Sequence, residues 1–592
     1  MYAWSGMSAV CVWPGKKKPI KRPPDYWIVN IELLDSRRLT GPNLFWDLPG
    51  AILDVAVEGI PADRLISAWS KEVADLMAAV GWSHEHICSR TFTGGVSLVI
   101  NAPIDVLYAA CELNEVALKR AVAGLSGETL SDLSGSITFL SRLIARESKP
   151  ALLDMQAAAA QHHVPFLWDD DEVSVGFGQT AITWPASQLP DSKSVDWSAI
   201  GSVPLGIVTG TNGKSTTVRL SADILAAAGL STGITSTDYI RVGQEILDRG
   251  DYSGPGGART LLRHPKSEAV VLEVARGGLL RRGIGVELAD AALITNIAED
   301  HMGEYGINSV DEMAEAKFIV RRALSKDAPL ILNADDPQSV RMAEKLDNRI
   351  IWFGLDPSHP VLQDHLEQQG QAACLEDGWL VLAEGSVVRR IISAEEIPIT
   401  FGGVARYNLS NALGAMVLCS ILGADDESLA TGLRSFSGDA SVNPGRGNLY
   451  EKNGIRIFID FAHNEHGLKA VADTVKAFQA SRNIVLMGQA GDRSNEEIAA
   501  FLNAACALEP AQLLVCDLPG YERGRLPGQV AELVRQLAIT EGLSKEAVMM
   551  FNSPVEGVEY ALGSAQEGDC LVLLALTQRA EITGMVQEFV AK

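Results

Sequence analysis

The segment Thr209-Gly210-Thr211-Asn212-Gly213-Lys214-Ser215-Thr216 sets two glycines, a lysine and several hydroxyl residues between a short apolar run, LGIV, and a helical pattern. That combination suits a phosphate. Glycines let backbone N–H groups close around phosphate oxygens, and the helix N-terminus adds partial positive charge. The lysine neutralises the β- and γ-phosphates, and a serine hydroxyl can ligate Mg²⁺. The strict GxxxxGK[ST] pattern is not met, because Val208 stands where its first glycine would be. Glu273, in VVLEVARGG, ends the next apolar strand, at the edge where doubly wound sheets meet their ligands. A carboxylate there can complete a Mg²⁺ site with Ser215, or simply stand in solvent. Thr295-Asn296-Ile297-Ala298-Glu299-Asp300-His301 follows a further strand, and His301 is open between a metal ligand and a loop hydrogen bond.

Elements that could position these groups are legible along the chain. Residues 203–437 alternate short apolar strands with helices: LGIV, AVVLEV, AALITN, PLILNA and RIIWFG. This predicts a doubly wound, mainly parallel sheet of the P-loop ATPase kind. Residues 438–592 repeat the pattern with IRIFIDF, NIVLMG, QLLVCD, AVMMF and CLVLLAL, a Rossmann-like domain of five or six strands. Residues 25–185 open with an alternating run, YWIVNIEL. Helical periodicity over Pro61–Val80, a strand VSLVIN and a helix from Ile104 follow, as in a smaller α/β domain. Residues 186–202 are polar and predict a linker, and residues 1–24, basic and proline-rich, predict a disordered leader. The fold class is therefore α/β throughout, in three domains.

Composition narrows the function. With 592 residues, 47% hydrophobic and 21% charged, the chain is an ordinary multi-domain globular protein. Its 74 acidic against 50 basic residues give a net charge of −24, which repels phosphate backbones and anionic lipid. Neither nucleic acid nor membrane is an expected partner, and no uncharged apolar run reaches the about 18 residues of a membrane span. Eight scattered cysteines with no CxxC pair predict reduced thiols and a cytoplasmic protein.

Eight segments occur in order: GTNGKST, LEVARGG, TNIAEDHMGEYG, AEAKF, LNADD, RYNLSNALGA, GRGNLYE and DFAHN. Together they resemble the Mur ligase superfamily of ATP-dependent amide-forming ligases. Gly250–Pro265, Leu272–Gly285, Pro444–Glu451 and Gly491–Ile498 look more specifically like cyanophycin synthetases, and the match covers Val203–Lys592. The resemblance implies that Gly210, Thr211, Asn212, Gly213, Lys214, Ser215 and Thr216 bind ATP phosphates. It implies that Ser215 and Glu273 hold one Mg²⁺, and that His301 holds a second together with Lys317 if that lysine is carbamylated; a free ammonium has no lone pair for a metal. Asn408 and Asn411 fall where the family contacts adenine, Arg446 where it contacts phosphate and Asp460 where it contacts ribose. His463 and Asn464 border the reacting centre. Catalytic roles are thereby implied for Lys214, His301, Lys317 and His463, and a homo-oligomer by analogy.

The first region resembles the amino-terminal domain of cyanophycin synthetases around Arg38-Leu39-Thr40-Gly41-Pro42-Asn43 and over Ala158–Gln179. About 30 residues then separate Phe177 from Thr209, too few for the ATP-grasp domain of those enzymes. The expected activity is one half-reaction: a carboxylate is activated as an acyl phosphate and joined to an amino acid amine, without the capacity to make cyanophycin alone. The carboxylate is that of an acidic amino acid, a peptide or another metabolite. Two alternatives stay open, a non-catalytic partner of a full synthetase that binds substrate or polymer, and a poly-glutamate-type ligase. The triplet His84-Glu85-His86, with His162-His163 further on, is open between a metal centre and surface histidines, since no HExxH spacing exists.

Overall fold

The computed structural model describes residues 30–592; the leader over residues 1–24 lies outside the described residues. Four sheets organise the chain. The first is antiparallel, in the order Asn30–Leu39, Gly50–Glu58, Gly95–Asn101, Ile87–Phe92. Helices Ala62–Ala79 and Leu107–Ser126 cover one face of it, where Trp69, Leu76, Leu98 and Leu113 pack. The helix at Pro61–Val80 and the strand at VSLVIN stand where the pattern predicts them. The described part of the opening run, residues 30–33, lies in a strand over Asn30–Leu39, and residues 26–29 lie outside the described residues; the strand pairs with Gly50–Glu58, a strand not read from the sequence, whose six leading residues are buried without alternation. A three-stranded sheet of Phe166–Trp168, Glu172–Val175 and Ile182–Pro185 follows. The polar stretch after it forms two 3₁₀ turns. Trp197 stacks on His162, with ring centroids 4.8 Å apart and 4° between planes.

The central sheet has eleven strands. Seven run parallel, in the order Thr232–Thr235, Ala269–Glu273, Leu205–Thr209, Ala291–Ile294, Leu330–Asn333, Ile350–Gly354, Gln371–Glu376. Burial on both faces explains their unbroken apolar runs: Leu205 and Ile207 enter one core while Val208 enters the other. Antiparallel strands extend both edges, Tyr239–Val242 and Glu245–Arg249 on one side, Trp379–Glu384 and Val387–Ser393 on the other. The outermost strands, Glu245–Arg249 and Val387–Ser393, carry exposed charged residues.

The last sheet has six strands: Asn448–Lys452, Ile455–Asp460, Asp569–Leu574, Arg482–Met487, Pro510–Cys516 and Val548–Phe551. Only its first pairing is antiparallel. Helices on both faces bury two separate cores, as a Rossmann-like domain requires. Among the described residues no helix is long and apolar enough to cross a membrane.

The amino-terminal unit is docked on the central one. Thr40 N donates to Arg282 O (2.8 Å) and Ile284 N to Pro42 O (2.7 Å). A Cβ on Gly41 would lie 2.3 Å from Ile284 O, so the residue there must be glycine. Arg263 reaches Asp169 and Ser174, and Arg90 reaches Glu312. The two segments resembling cyanophycin synthetases thus lie at this junction.

Candidate functional site

Strand Leu205–Thr209 ends mid-sheet, between Ala269–Glu273 and Ala291–Ile294. The next parallel strands go to one side of it and the later ones to the other, so a crevice opens at its carboxyl end. There the chain turns through Gly210 to Gly213 into helix Lys214–Ala227. The loop is pinned from outside: Thr211 N donates to Asn296 O (2.8 Å), Asn212 N to Asn296 Oδ1 (3.0 Å), and Thr295 Oγ1 to Asn212 O (2.6 Å). Its glycines are required by contact. A Cβ on Gly210 would fall 1.9 Å from Thr295 Oγ1, and one on Gly213 (φ +88°) 2.2 Å from Asn411 Oδ1. Gly213→Ala is therefore expected to cost about 1–3 kcal/mol of local strain. Amides of helix Lys214–Ala227 should then exchange with deuterium faster than in the wild type; unchanged protection would show that Asn411 yields freely.

Around this loop lies a cavity of about 840 Å³ walled by the central and carboxy-terminal domains. Every residue that the Mur ligase resemblance implies for the site lines it except Asn408 and Asn464; the triplet His84-Glu85-His86 and the pair His162-His163 do not. Asn408 stands behind the wall, donating to Ile399 O (2.8 Å) and accepting from Asn411 Nδ2 (3.2 Å). Asn464 clasps the loop, exchanging side-chain hydrogen bonds with Asn212. Lys214 Nζ folds over its own loop, donating to Gly210 O (3.1 Å) and Thr211 O (3.0 Å). Burial lowers its pKa against the pull of Glu273 and Asp300. Lys317, 3% exposed, is driven well below the usual lysine range by burial and then by the neighbouring Lys214 charge. Glu273 is 1% exposed, and neither carboxylate oxygen has a hydrogen-bond partner. An unsatisfied carboxylate at that depth costs several kcal/mol unless a cation or donor completes it, so the position fits a metal ligand. Ser215, also buried, lines the same cavity with its Oγ 3.5 Å from Thr237 Oγ1.

A second group brings the two domains together. Asp300, His301 and His463 present one ligand atom each within 4.8 Å of one another, a spacing that can hold a metal ion. His463 Nε2 lies 3.6 Å from Asp300 Oδ2, and Arg493 Nη2 donates to Asp300 Oδ1 (3.0 Å). Burial opposes ionisation of Asp300, yet the His463 hydrogen bond and the His301 and Arg493 charges outweigh it and hold the carboxyl well below its ordinary range. His301 is held at φ +50° by Arg276, which donates to its carbonyl (2.7 Å). His84 and His86 are exposed in the turn before strand Ile87–Phe92, and Glu85 accepts from Asn101.

Sequence reasoning missed several members of the site. Asp300 lies in TNIAEDHMGEYG and Arg493 within Gly491–Ile498, but neither motif by itself marks them as site residues. Asp238 and Arg579 carried no local signal. Arg579 reaches the site only because strand Asp569–Leu574 pairs with Ile455–Asp460, which sets it beside Phe461. Arg446 donates to Thr237 Oγ1 (3.1 Å). Asp460 accepts from Ala462 N (2.7 Å), and burial raises its carboxyl to about 6.

A glycine loop at the switch point of a parallel sheet, closed over by a Rossmann-like domain, defines a P-loop protein with a two-domain cleft. Residues 208–419 match the Mur ligase middle domain, and residues 445–575 match the Mur ligase, glutamate ligase domain. The chain belongs to the Mur ligase superfamily. It is 34% identical over 373 residues to the cyanophycin synthetase of Crocosphaera subtropica, covering 63% of this chain and 42% of that one. It is 26% identical over 390 residues to the UDP-N-acetylmuramoyl-L-alanyl-D-glutamate–2,6-diaminopimelate ligase of Geobacter metallireducens, covering 63% and 73%. The chain thus spans less than half the length of the curated cyanophycin synthetase it matches. Among solved structures, Escherichia coli FolC in complex with DHPP and ADP aligns with a TM-score of 0.47 at 18% identity, covering 65% of this chain and 89% of that one.

Proposed function

We propose that the protein is an ATP-dependent carboxylate–amine ligase: it transfers the γ-phosphoryl group of ATP to a carboxylate, and an amino acid amine then displaces phosphate to give an amide. The observation that carries this reading is Glu273, a buried carboxylate without a partner in the same cavity as the Lys214 loop. A carboxylate and an ammonium do not condense in water at neutral pH, so activation is needed, and a closed, water-excluding cleft protects an acyl phosphate from hydrolysis. In this reading Lys214 and the amides at the end of the loop and the start of the helix, from Gly213 to Thr216, bind the phosphates, since Asn296 takes those of Thr211 and Asn212; Ser215 and Glu273 would hold one Mg²⁺. His301 would hold a second with Lys317, whose burial favours the neutral amine that can take up carbon dioxide as a carbamate. When bound, the cations supply charge neutralisation at the phosphates. Asn411 would meet adenine, Arg446 the phosphates and Asp460 the ribose, while His463 borders the reacting atoms. Residues 203–437 form the nucleotide-binding domain and 438–592 the closing domain.

The substrates we propose are an amino acid amine and the carboxylate of an acidic amino acid, a peptide or a related metabolite. Residues 178–204 hold one short strand and 3₁₀ turns, so no second ATP-using domain stands between the amino-terminal unit and the P-loop, and on this reading the chain alone does not make cyanophycin. The test is phosphate release with ATP and Mg²⁺ across pairs of single amino acids with acidic amino acids and aspartyl peptides, with mass spectrometry of any active pair. One condensation of added mass identifies a single ligation and a ladder a polymerase. No release from any pair above a Lys214→Ala blank would sink the proposal.

Asp460 supplies a pH signature. A ribose hydroxyl donates to a carboxylate, but burial keeps this carboxyl protonated up to about 6, despite the Ala462 amide, Arg446, the Gly447 amide and His463, all of which favour the anion. Its folded value lies above the ordinary 3.8, so the protonated form is favoured by the fold and is lost as pH rises through about 6. Nucleotide affinity is expected to be about tenfold weaker at pH 5 than well above 6. Because terminal phosphates titrate nearby, the readout is the difference between wild type and Asp460→Asn. Parallel profiles would remove Asp460 from the ribose.

A further inference from the structure

Asp238, in the turn between strands Thr232–Thr235 and Tyr239–Val242, gathers three guanidinium groups. Arg219 Nη2 donates to its Oδ2, Arg579 Nη2 donates to its Oδ1 at 2.7 Å, and Arg446 Nη2 lies 3.5 Å from Oδ2. Arg219 is structurally committed: it is fully buried and also donates to Asn443 Oδ1 (2.8 Å). Arg446 and Arg579 differ. Both guanidiniums pack on the Phe461 ring, 5.2 and 4.7 Å from its centroid, and both line the large cavity. Each keeps a buried nitrogen without a partner, Nε on Arg446 and Nη1 on Arg579, as Arg219 does at Nε, but only Arg446 and Arg579 face the cavity.

Asp238 is the one carboxylate ion-paired with all three guanidiniums, and Glu273 and Asp460 act on Arg446 only at longer range, so positive charge outweighs negative within the cluster. Such an excess, only partly open to water, is relieved when an anion joins it. The position of that anion follows from connectivity. Arg446 donates to Thr237 Oγ1 (3.1 Å), which lies 3.5 Å from Ser215 Oγ in the glycine loop. The network therefore abuts the phosphate end of the cleft. Arg579 comes from the far domain: the turn at Gln578 (φ +54°) leads from strand Asp569–Leu574 into helix Arg579–Ala591, with Arg579 at its first position.

We propose that Arg579 is a second phosphate-binding guanidinium, supplied by the carboxy-terminal domain and acting beside Arg446 on the terminal phosphates of the bound nucleotide. This rests on the nucleotide reading given under Proposed function. Arg579 ties closure of the cleft to the number of phosphates present, because its anchor on Asp238 spans both domains.

The test is calorimetric binding of AMP, ADP and the non-hydrolysable triphosphate AMPPNP, with Mg²⁺, to the full chain and to Arg579→Gln and Arg579→Lys. Arg579→Gln should bind AMPPNP about tenfold more weakly, ADP less affected and AMP unchanged. Arg579→Lys should recover part of the loss, since it keeps the charge without the paired donors. A loss equal for all three nucleotides, or none for AMPPNP, overturns the proposal and leaves Arg579 as a brace for Asp238. If Arg579→Gln does not fold, Arg579→Lys decides by the same comparison: selective weakening toward AMPPNP supports the proposal and uniform affinity overturns it. Wild-type protein that binds no nucleotide, or Lys214→Ala that binds AMPPNP like wild type, instead overturns the nucleotide reading, and the inference with it.

Discussion

Replacing Lys214 by alanine is expected to lower ATP-dependent phosphate release by at least about 10²–10³-fold, the scale seen when a preorganised charge-stabilising donor is removed. The expectation rests on where the ammonium sits. It stands in the cavity wall at the start of helix Lys214–Ala227, beside a loop whose residues line the same space. Burial already works against its charge, so an anion brought beside it is stabilised more strongly than at a solvated lysine. The fold should tolerate the change. Nζ contacts only the carbonyls of Gly210 and Thr211, while the loop is held independently by Thr295 and Asn296. Lys214→Arg should not restore activity, because a planar guanidinium cannot replace a compact ammonium in that turn. Steady-state phosphate release together with deuterium exchange of the loop decides the matter: activity within a few fold of wild type in a correctly folded variant would place the phosphates elsewhere.

The second large effect has two signs. Glu273→Gln in the absence of divalent cation is expected to raise stability by about 1–3 kcal/mol, because it removes a buried charge whose oxygens make no hydrogen bond. For a domain of this size that corresponds to a melting point several degrees higher. With Mg²⁺ and nucleotide the order should reverse. The wild type gains stability by mass action and the variant gains much less, with activity reduced about 10²-fold. Paired thermal scans with and without Mg²⁺ and AMPPNP read both effects. Should Glu273→Gln melt lower than wild type without cation and respond equally to it, Glu273 is an ordinary structural carboxylate. A simple loss-of-activity experiment cannot make that separation, because a misfolded variant is also inactive.

Much of the site was legible because its chemistry is written locally. A glycine loop between a strand and a helix, and a carboxylate at a strand's end, sit within a few residues of the backbone features that orient them. Gly213, Lys214 and Ser215 are therefore legible as a loop at a strand–helix junction before any fold is known. Asn408 marks the limit of that reasoning. Its motif placed it at a ligand, whereas in the structure its amide is spent on Ile399 and Asn411 and only Asn411 reaches the cavity. Motif spacing identifies the helix Arg406–Ile421 but not which of its faces the neighbouring 3₁₀ turn covers.

Composition and periodicity by themselves determined the α/β class and the five central strands, and local residue types marked the glycine loop between strand and helix. These follow from short-range rules, namely apolar runs buried on both faces of a sheet and turn residues that tolerate positive φ. Only the tertiary structure decided that Asp300 joins His463 and Arg493, and that Arg579 shares Asp238 with Arg219 and Arg446. The partners in these groups lie up to 341 residues apart and meet through strand order and domain closure. Side-chain charge can be read from a sequence, but the burial that gives an ion pair its strength, and the choice of partner, arise only when separate sheets are packed against one another.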